Sequence, residues 1–183
     1  MPAGPISRVR ARGFTLVEVM ISLTLCSLLA LAAITSFLYT LRGEKSLANY
    51  SEMNATARLV LEQMGRDFRS CGDVPAGGFN STTVTLKVPA DTSGTNWQTV
   101  VWAYNSAAQT VGRTVNGNTT VYAANVSSFT FSFYNINGVA PVNDIELKQI
   151  QISMRILRSV QAASTSEYVI SAQFTLRSKS TTV

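Results

Sequence analysis

The chain has 183 residues, room for one compact domain together with a membrane-anchoring segment. Hydrophobic residues make up 46% of it and charged residues only 14%, with a formal net charge of +5. It contains no histidine, which excludes the usual nucleophile-histidine triads, histidine metal sites and imidazole proton shuttles, and the chain is read as a protein that is not an enzyme.

The first element is a basic stretch with Arg8, Arg10 and Arg12, followed by Gly13-Phe14-Thr15-Leu16-Val17-Glu18. From Phe14 to Leu41 the sequence is apolar and carries one charge, Glu18. About 20 apolar residues suffice to cross the hydrocarbon core, so this run can span a bilayer with length to spare. The arginines ahead of it fit the positive-inside pattern, which keeps the extreme N-terminus cytoplasmic. A carboxylate inside an apolar span is costly and marks a functional residue. The partner the sequence offers Glu18 is a positive chain terminus, created by cutting after Gly13. A secretory signal peptide fits poorly, because its apolar region precedes its cleavage site. Ala30-Leu31-Ala32 has the right residues for such a site, but apolar sequence continues past it. Ser27, Ala30, Ala32, Ala33 and Ser36 are small enough to let neighbouring helices approach closely.

A second helical pattern follows. Tyr50, Met53, Ala57, Leu61, Met64 and Phe68 recur at spacings of three and four, the stripe of an amphipathic helix that covers a sheet. Glu52, Arg58, Glu62, Arg66 and Arg69 lie on its other faces, and Glu62 precedes Arg66 by one turn in the favourable order. Gly72, Pro75 and Gly77-Gly78 end the pattern.

The rest of the chain reads as strands. Thr83–Val88 and Gln98–Tyr104 are short and β-rich. Asn116-Gly117 signals a hairpin before Thr119–Tyr122. Phe129, Phe131 and Phe133 alternate with polar residues, as do Ile150, Ile152, Met154 and Ile156. Asn137-Gly138 marks a further turn, Ala162–Ser166 reads as a hairpin loop, and Val169–Arg177 as a last strand.

Binding chemistry is sparse. Asp144 and Glu146 are ordinary surface acids, too few for the six to eight oxygens that calcium takes, and no metal or cofactor is expected. Gly77-Gly78 lacks the lysine of a phosphate-binding loop. At about 1.5 Å per residue of helix, Cys26 and Cys71 stand far beyond disulfide reach of each other. Cys71 is either buried or bonded to a partner, and burial is the favoured reading.

Gly13-Phe14-Thr15-Leu16-Val17-Glu18 with its apolar run resembles the prepilin signature of type IV pilins and type II secretion pseudopilins. The resemblance covers about the first third of the chain and is architectural beyond it. It implies cleavage between Gly13 and Phe14 by a prepilin peptidase, N-methylation of Phe14, and an assembly role for Glu18 opposite the Phe14 ammonium of its own or a neighbouring subunit. It implies an α+β fold, a long N-terminal helix packed on an antiparallel β-sheet. The corresponding segments are a leader over residues 1–13, a transmembrane and assembly helix over 14–41, an amphipathic helix over 42–72 and a β-sheet head over 73–183. Removal of the leader takes the three arginines away, so fifteen basic residues become twelve against ten acidic ones, a balance of +2. Nucleic acid is therefore not an expected partner.

The apolar run has Ser27 and Thr35 where many major pilins carry glycine or proline. With that, the absence of a C-terminal disulfide and the β-rich head, the chain is similar to minor subunits. Leu59–Cys71 resembles PilW-like minor pilins and J-type minor pseudopilins; Phe129–Val139 resembles them more weakly. The implied partners are prepilin peptidase, other pilin or pseudopilin subunits, the inner-membrane assembly platform and, before assembly, inner-membrane lipid. The implied location is the bacterial inner membrane, with a cytoplasmic leader and a periplasmic head, and then a filament. Two other classes stay open: a competence pilin gripping DNA through Arg155, Arg158, Arg177 and Lys179, and a membrane-anchored adhesin.

Overall fold

Residues 13–91, 96–159 and 165–177 are described in a computed structural model. The leader up to Arg12, Ala162–Ser164 of the expected hairpin loop, and Lys179 lie outside the described residues. One helix, α1 (Leu16–Ser70), takes up both helical patterns, with Arg69 in its last turn complementing the helix dipole. The chain divides into two compact units between Glu44 and Lys45.

In the first unit every described side chain is exposed, including Leu16, Met20, Leu25, Leu29 and Phe37. An 18-residue window of α1 there reaches a mean hydropathy of 2.2, and none of it is buried by protein. The length and composition are those of a membrane-crossing helix.

The second unit has its own core. Met53, Ala57, Val60, Met64 and Phe68 of α1 are buried at the spacing of one helix face. Tyr50, expected in this stripe, is 43% exposed, and Leu61 is only partly buried while Val60 is fully so. The burial face is therefore rotated slightly from the expected stripe, and it contains one charge, Asp67.

Among the described residues seven strands follow: β1 (Thr83–Pro89), β2 (Trp97–Asn105), β3 (Thr110–Val115), β4 (Asn118–Ala123), β5 (Val126–Tyr134), β6 (Gln149–Ser159) and β7 (Thr165–Thr175). All pairings are antiparallel. The antiparallel sheet expected under the helix is present, in two hydrogen-bonded ladders, β1-β2-β3-β4 and β5-β6-β7. The break falls where the chain leaves β4: Asn125 has φ +59°, and Val126 N–H donates to the carbonyl of Gln109, itself at φ +53°. Left-handed residues of this kind turn a strand out of its ladder. A bulge between Val126 and Ser128 shifts the alternation by one, so Val126 and Phe129 both face the core despite their odd separation.

The β3–β4 hairpin turns at Asn116 (φ +51°) and Gly117 (φ +83°), the primed turn in which both residues are left-handed and the second favours glycine. Leu86, Trp102 and Val100 from the first ladder, and Phe131, Ile150, Ile152, Met154 and Ile156 from the second, join the helix stripe in one hydrophobic core. β7 begins at Thr165 rather than Val169, so Thr165 and Ser166 of the expected loop are strand. Cys71 is buried, its thiol 3.1 Å from the Asp73 carbonyl oxygen, and is not in a disulfide.

Candidate functional site

Among the described residues two places gather polar and charged groups in a way that packing alone does not require: the start of α1 and the buried face of its last turns. At the start, Gly13, Phe14 and Thr15 precede the first helical residue. Thr15 is the cap. Its Oγ1 accepts the Glu18 N–H at 3.3 Å, and its carbonyl accepts the Val19 N–H at 3.2 Å. Thr15-Leu16-Val17-Glu18 has the spacing of a capping box, threonine at the cap and an acid at the third helical position. Glu18 is the acid of the first turn, where the unpaired backbone N–H groups favour negative charge.

Phe14 and Val19 stand at the two positions that staple a helix entry, one before the cap and four after it. Both line one surface recess with Ser22, Leu23 and Cys26. Glu18 lines a second shallow recess with Gly13, Phe14 and Thr15. The structure thus brings Gly13, Phe14 and Glu18 together at the helix start and leaves all three exposed. A Cβ added to Gly13 would meet nothing within 4 Å, so nothing inside the described chain requires a glycine there.

Several hydroxyls of the apolar stretch are satisfied within the helix. Ser22 donates to the Glu18 carbonyl, Ser27 to Thr24, Thr35 to Leu31 and Ala32, and Thr40 to Ser36. Polar side chains of this kind enter lipid without an unmet donor.

The second place was not singled out from sequence. Asp67 is 4% exposed, and three donors converge on its carboxylate. Arg113 approaches in a fork, Nε to Oδ2 at 2.7 Å and Nη2 to Oδ1 at 3.0 Å. Trp102 Nε1 donates to Oδ2 at 2.8 Å. Trp102 and Arg113 are directly opposite on β2 and β3 and so share the face turned to the helix. The hydrogen bond that Arg113 donates to Asp67 raises the arginine's pKa above its already high ordinary value, against the opposing effect of burial. The sequence signal was an acid between Met64 and Phe68 of an apolar stripe; its partners are distant in sequence and only the fold assembles them.

The arginines considered for DNA contact are largely committed elsewhere. Arg155 pairs with Glu167 at 2.6 Å and Arg158 with Glu52 at 2.5 Å. Arg177 is exposed. Glu146 accepts the Val142 N–H at 3.1 Å and acts as a loop brace. Among the described residues no three histidine, cysteine or acidic side chains cluster as metal ligands would.

Comparison with known proteins places one segment of the chain. No curated protein and no solved structure matches it. Residues 8–34 match the family model of the prokaryotic N-terminal methylation motif, a stretch that contains the Gly13-Phe14 junction, Glu18 and the first turns of α1, and the match supports a signal of the prepilin and pseudopilin class.

Proposed function

We propose that the chain is a minor pilin of a type IV pilus, a structural subunit that helps to initiate or cap filament assembly. The observation that carries this reading is the methylation motif over residues 8–34, lying across a capped helix start whose apolar continuation no protein covers. In this reading prepilin peptidase cuts after Gly13, and Phe14 becomes the N-methylated terminus. The open space around Gly13 supports it: the demand for glycine comes from outside the chain, as in a protease cleft that admits only a bare backbone.

Glu18 then acts in assembly. Cutting creates an ammonium at Phe14, one residue before the cap and in the same turn as the Glu18 carboxylate. An isolated charge in lipid costs a few kcal/mol, and pairing with the Phe14 ammonium of its own or a neighbouring subunit removes much of that cost. A subunit whose carboxylate meets a neighbour's ammonium is thereby drawn to one axial position. The leader is cytoplasmic, residues 14–41 lie in the inner membrane, and the unit from Lys45 onward is the periplasmic head. The partners are prepilin peptidase, the other pilin subunits and the inner-membrane assembly platform.

Intact mass of the membrane-extracted protein tests the proposal, with and without a prepilin peptidase in the host. Loss of Met1–Gly13 with the gain of one methyl group, only when the peptidase is present, is the expected result. An uncut chain in both hosts would overturn it and leave a membrane-anchored adhesin as the better account.

A further inference from the structure

We propose that the Asp67–Trp102–Arg113 triad is a register lock, fixing where β2 and β3 seat along α1 rather than supplying the bulk of the head's stability. The apolar stripe alone does not specify that position. Met53, Ala57, Val60, Met64 and Phe68 repeat every three or four residues, so a helix displaced by four residues still presents apolar side chains at most of these places, Ala57, Leu61, Met64 and Phe68 in one direction and Met53, Val60 and Met64 in the other. Hydrophobic contact is non-directional, and methionine adapts to irregular gaps.

The triad is directional. Three N–H groups meet two carboxylate oxygens at 2.7 to 3.0 Å, from side chains that stand opposite each other on adjacent strands. A one-turn displacement puts Gln63 or Cys71 in place of Asp67. The Arg113 guanidinium, whose side chain is only 18% exposed, then loses its carboxylate, and Trp102 Nε1 its acceptor. Leaving such groups buried and unmatched is heavily penalised, so one register is singled out.

The other parts of the head have separate fastenings. β1 is tied to the chain after the helix, Gly72 N–H to the Lys87 carbonyl at 3.0 Å and Lys87 N–H to the Asp73 carbonyl at 2.8 Å. β7 approaches the helix at Gly65, where a Cβ would come within 2.9 Å of Phe174 Cε1, and Phe174 packs tilted against Phe68 at 5.4 Å between ring centroids. β2 and β3 are tied to the helix by Asp67. Loss of the triad therefore acts on those strands and spares the β5-β6-β7 ladder.

The test is the triple variant Asp67→Leu, Arg113→Met, Trp102→Phe, in the full chain in detergent micelles. These residues keep the site filled and remove its polar groups. Amide resonances of Val100 and Gly112 report on β2 and β3, and those of Ile152 and Ile170 on β6 and β7. The expected result is cooperative unfolding as in the parent, with Val100 and Gly112 split or broadened and Ile152 and Ile170 single and sharp. A single sharp set at all four positions would overturn the proposal, because apolar packing would then specify the register unaided. Loss of cooperative unfolding would overturn it as well, since the triad would be a source of stability rather than of register.

Discussion

Gly13, Phe14 and Glu18, proposed for cleavage, methylation and assembly, stand out in the sequence because they lie close together: a glycine-aromatic junction and a lone acid within six residues. Thr15 was equally legible in principle, since threonine three residues before glutamate at the head of an apolar run is a capping signature. Asp67 was not, because its partners lie 35 and 46 residues away and only the fold brings them together. On the proposed processing, Gly13→Leu puts a bulky side chain where the chain offers open space and the peptidase needs none. Intact mass should show residues 1–13 retained. Glu18→Gln should leave cutting and methylation unchanged and lower incorporation into filaments by about tenfold or more, given the few kcal/mol of an unpaired charge in lipid. Quantitative immunoblotting of sheared filaments reads the second outcome, and parent-level incorporation would remove Glu18 from the assembly step.

At the scale of elements, the strands with clean alternation were readable and those without it were not. β5 and β6 announce themselves through phenylalanine and isoleucine at every second position. β3 has Val111 buried, then Gly112 and Arg113 where an alternating pattern fails, and its arginine serves the helix rather than solvent. The division into two ladders was hidden because it depends on left-handed Gln109 and Asn125, neither of them a glycine. The helix-to-strand contact yields a stability prediction. Asp67→Ala strands a guanidinium and an indole N–H in the core, and should lower the stability of the head by about 3–5 kcal/mol, measured by denaturant unfolding followed by circular dichroism. The ion pair should also be insensitive to alkali over ordinary conditions. Arg113 has its pKa raised by folding. Its contribution is thus fully present below the unfolded value and is lost only as pH rises beyond the folded one, which is higher still. Near-ultraviolet dichroism of Trp102 should stay constant from neutral to moderately alkaline pH, and an alkaline change there would mean that the pair is not formed.

For the whole molecule, composition already separated an apolar stretch with a single charge from a mixed remainder, and the two compact units divide near the same place, between Glu44 and Lys45. The exposed apolar side chains of the first unit have no protein to cover them. Alkaline carbonate washing of membranes should leave the chain in the pellet, whereas deletion of residues 14–41 should release it to the supernatant. What such a deletion must not remove is set by the helix stripe. Met53, Ala57, Val60, Met64 and Phe68 are core residues of the head, although they belong to the same helix as the apolar stretch. A soluble fragment beginning at Lys45 keeps them all. One beginning after Cys71 exposes the inner faces of both ladders and leaves Trp102 and Arg113 without their carboxylate; protease digestion should degrade it quickly, and it should sediment as an aggregate. The end of α1 is thus not the place to cut this protein for crystallisation or immunisation: the usable border lies ahead of Met53, near the boundary of hydrophobicity.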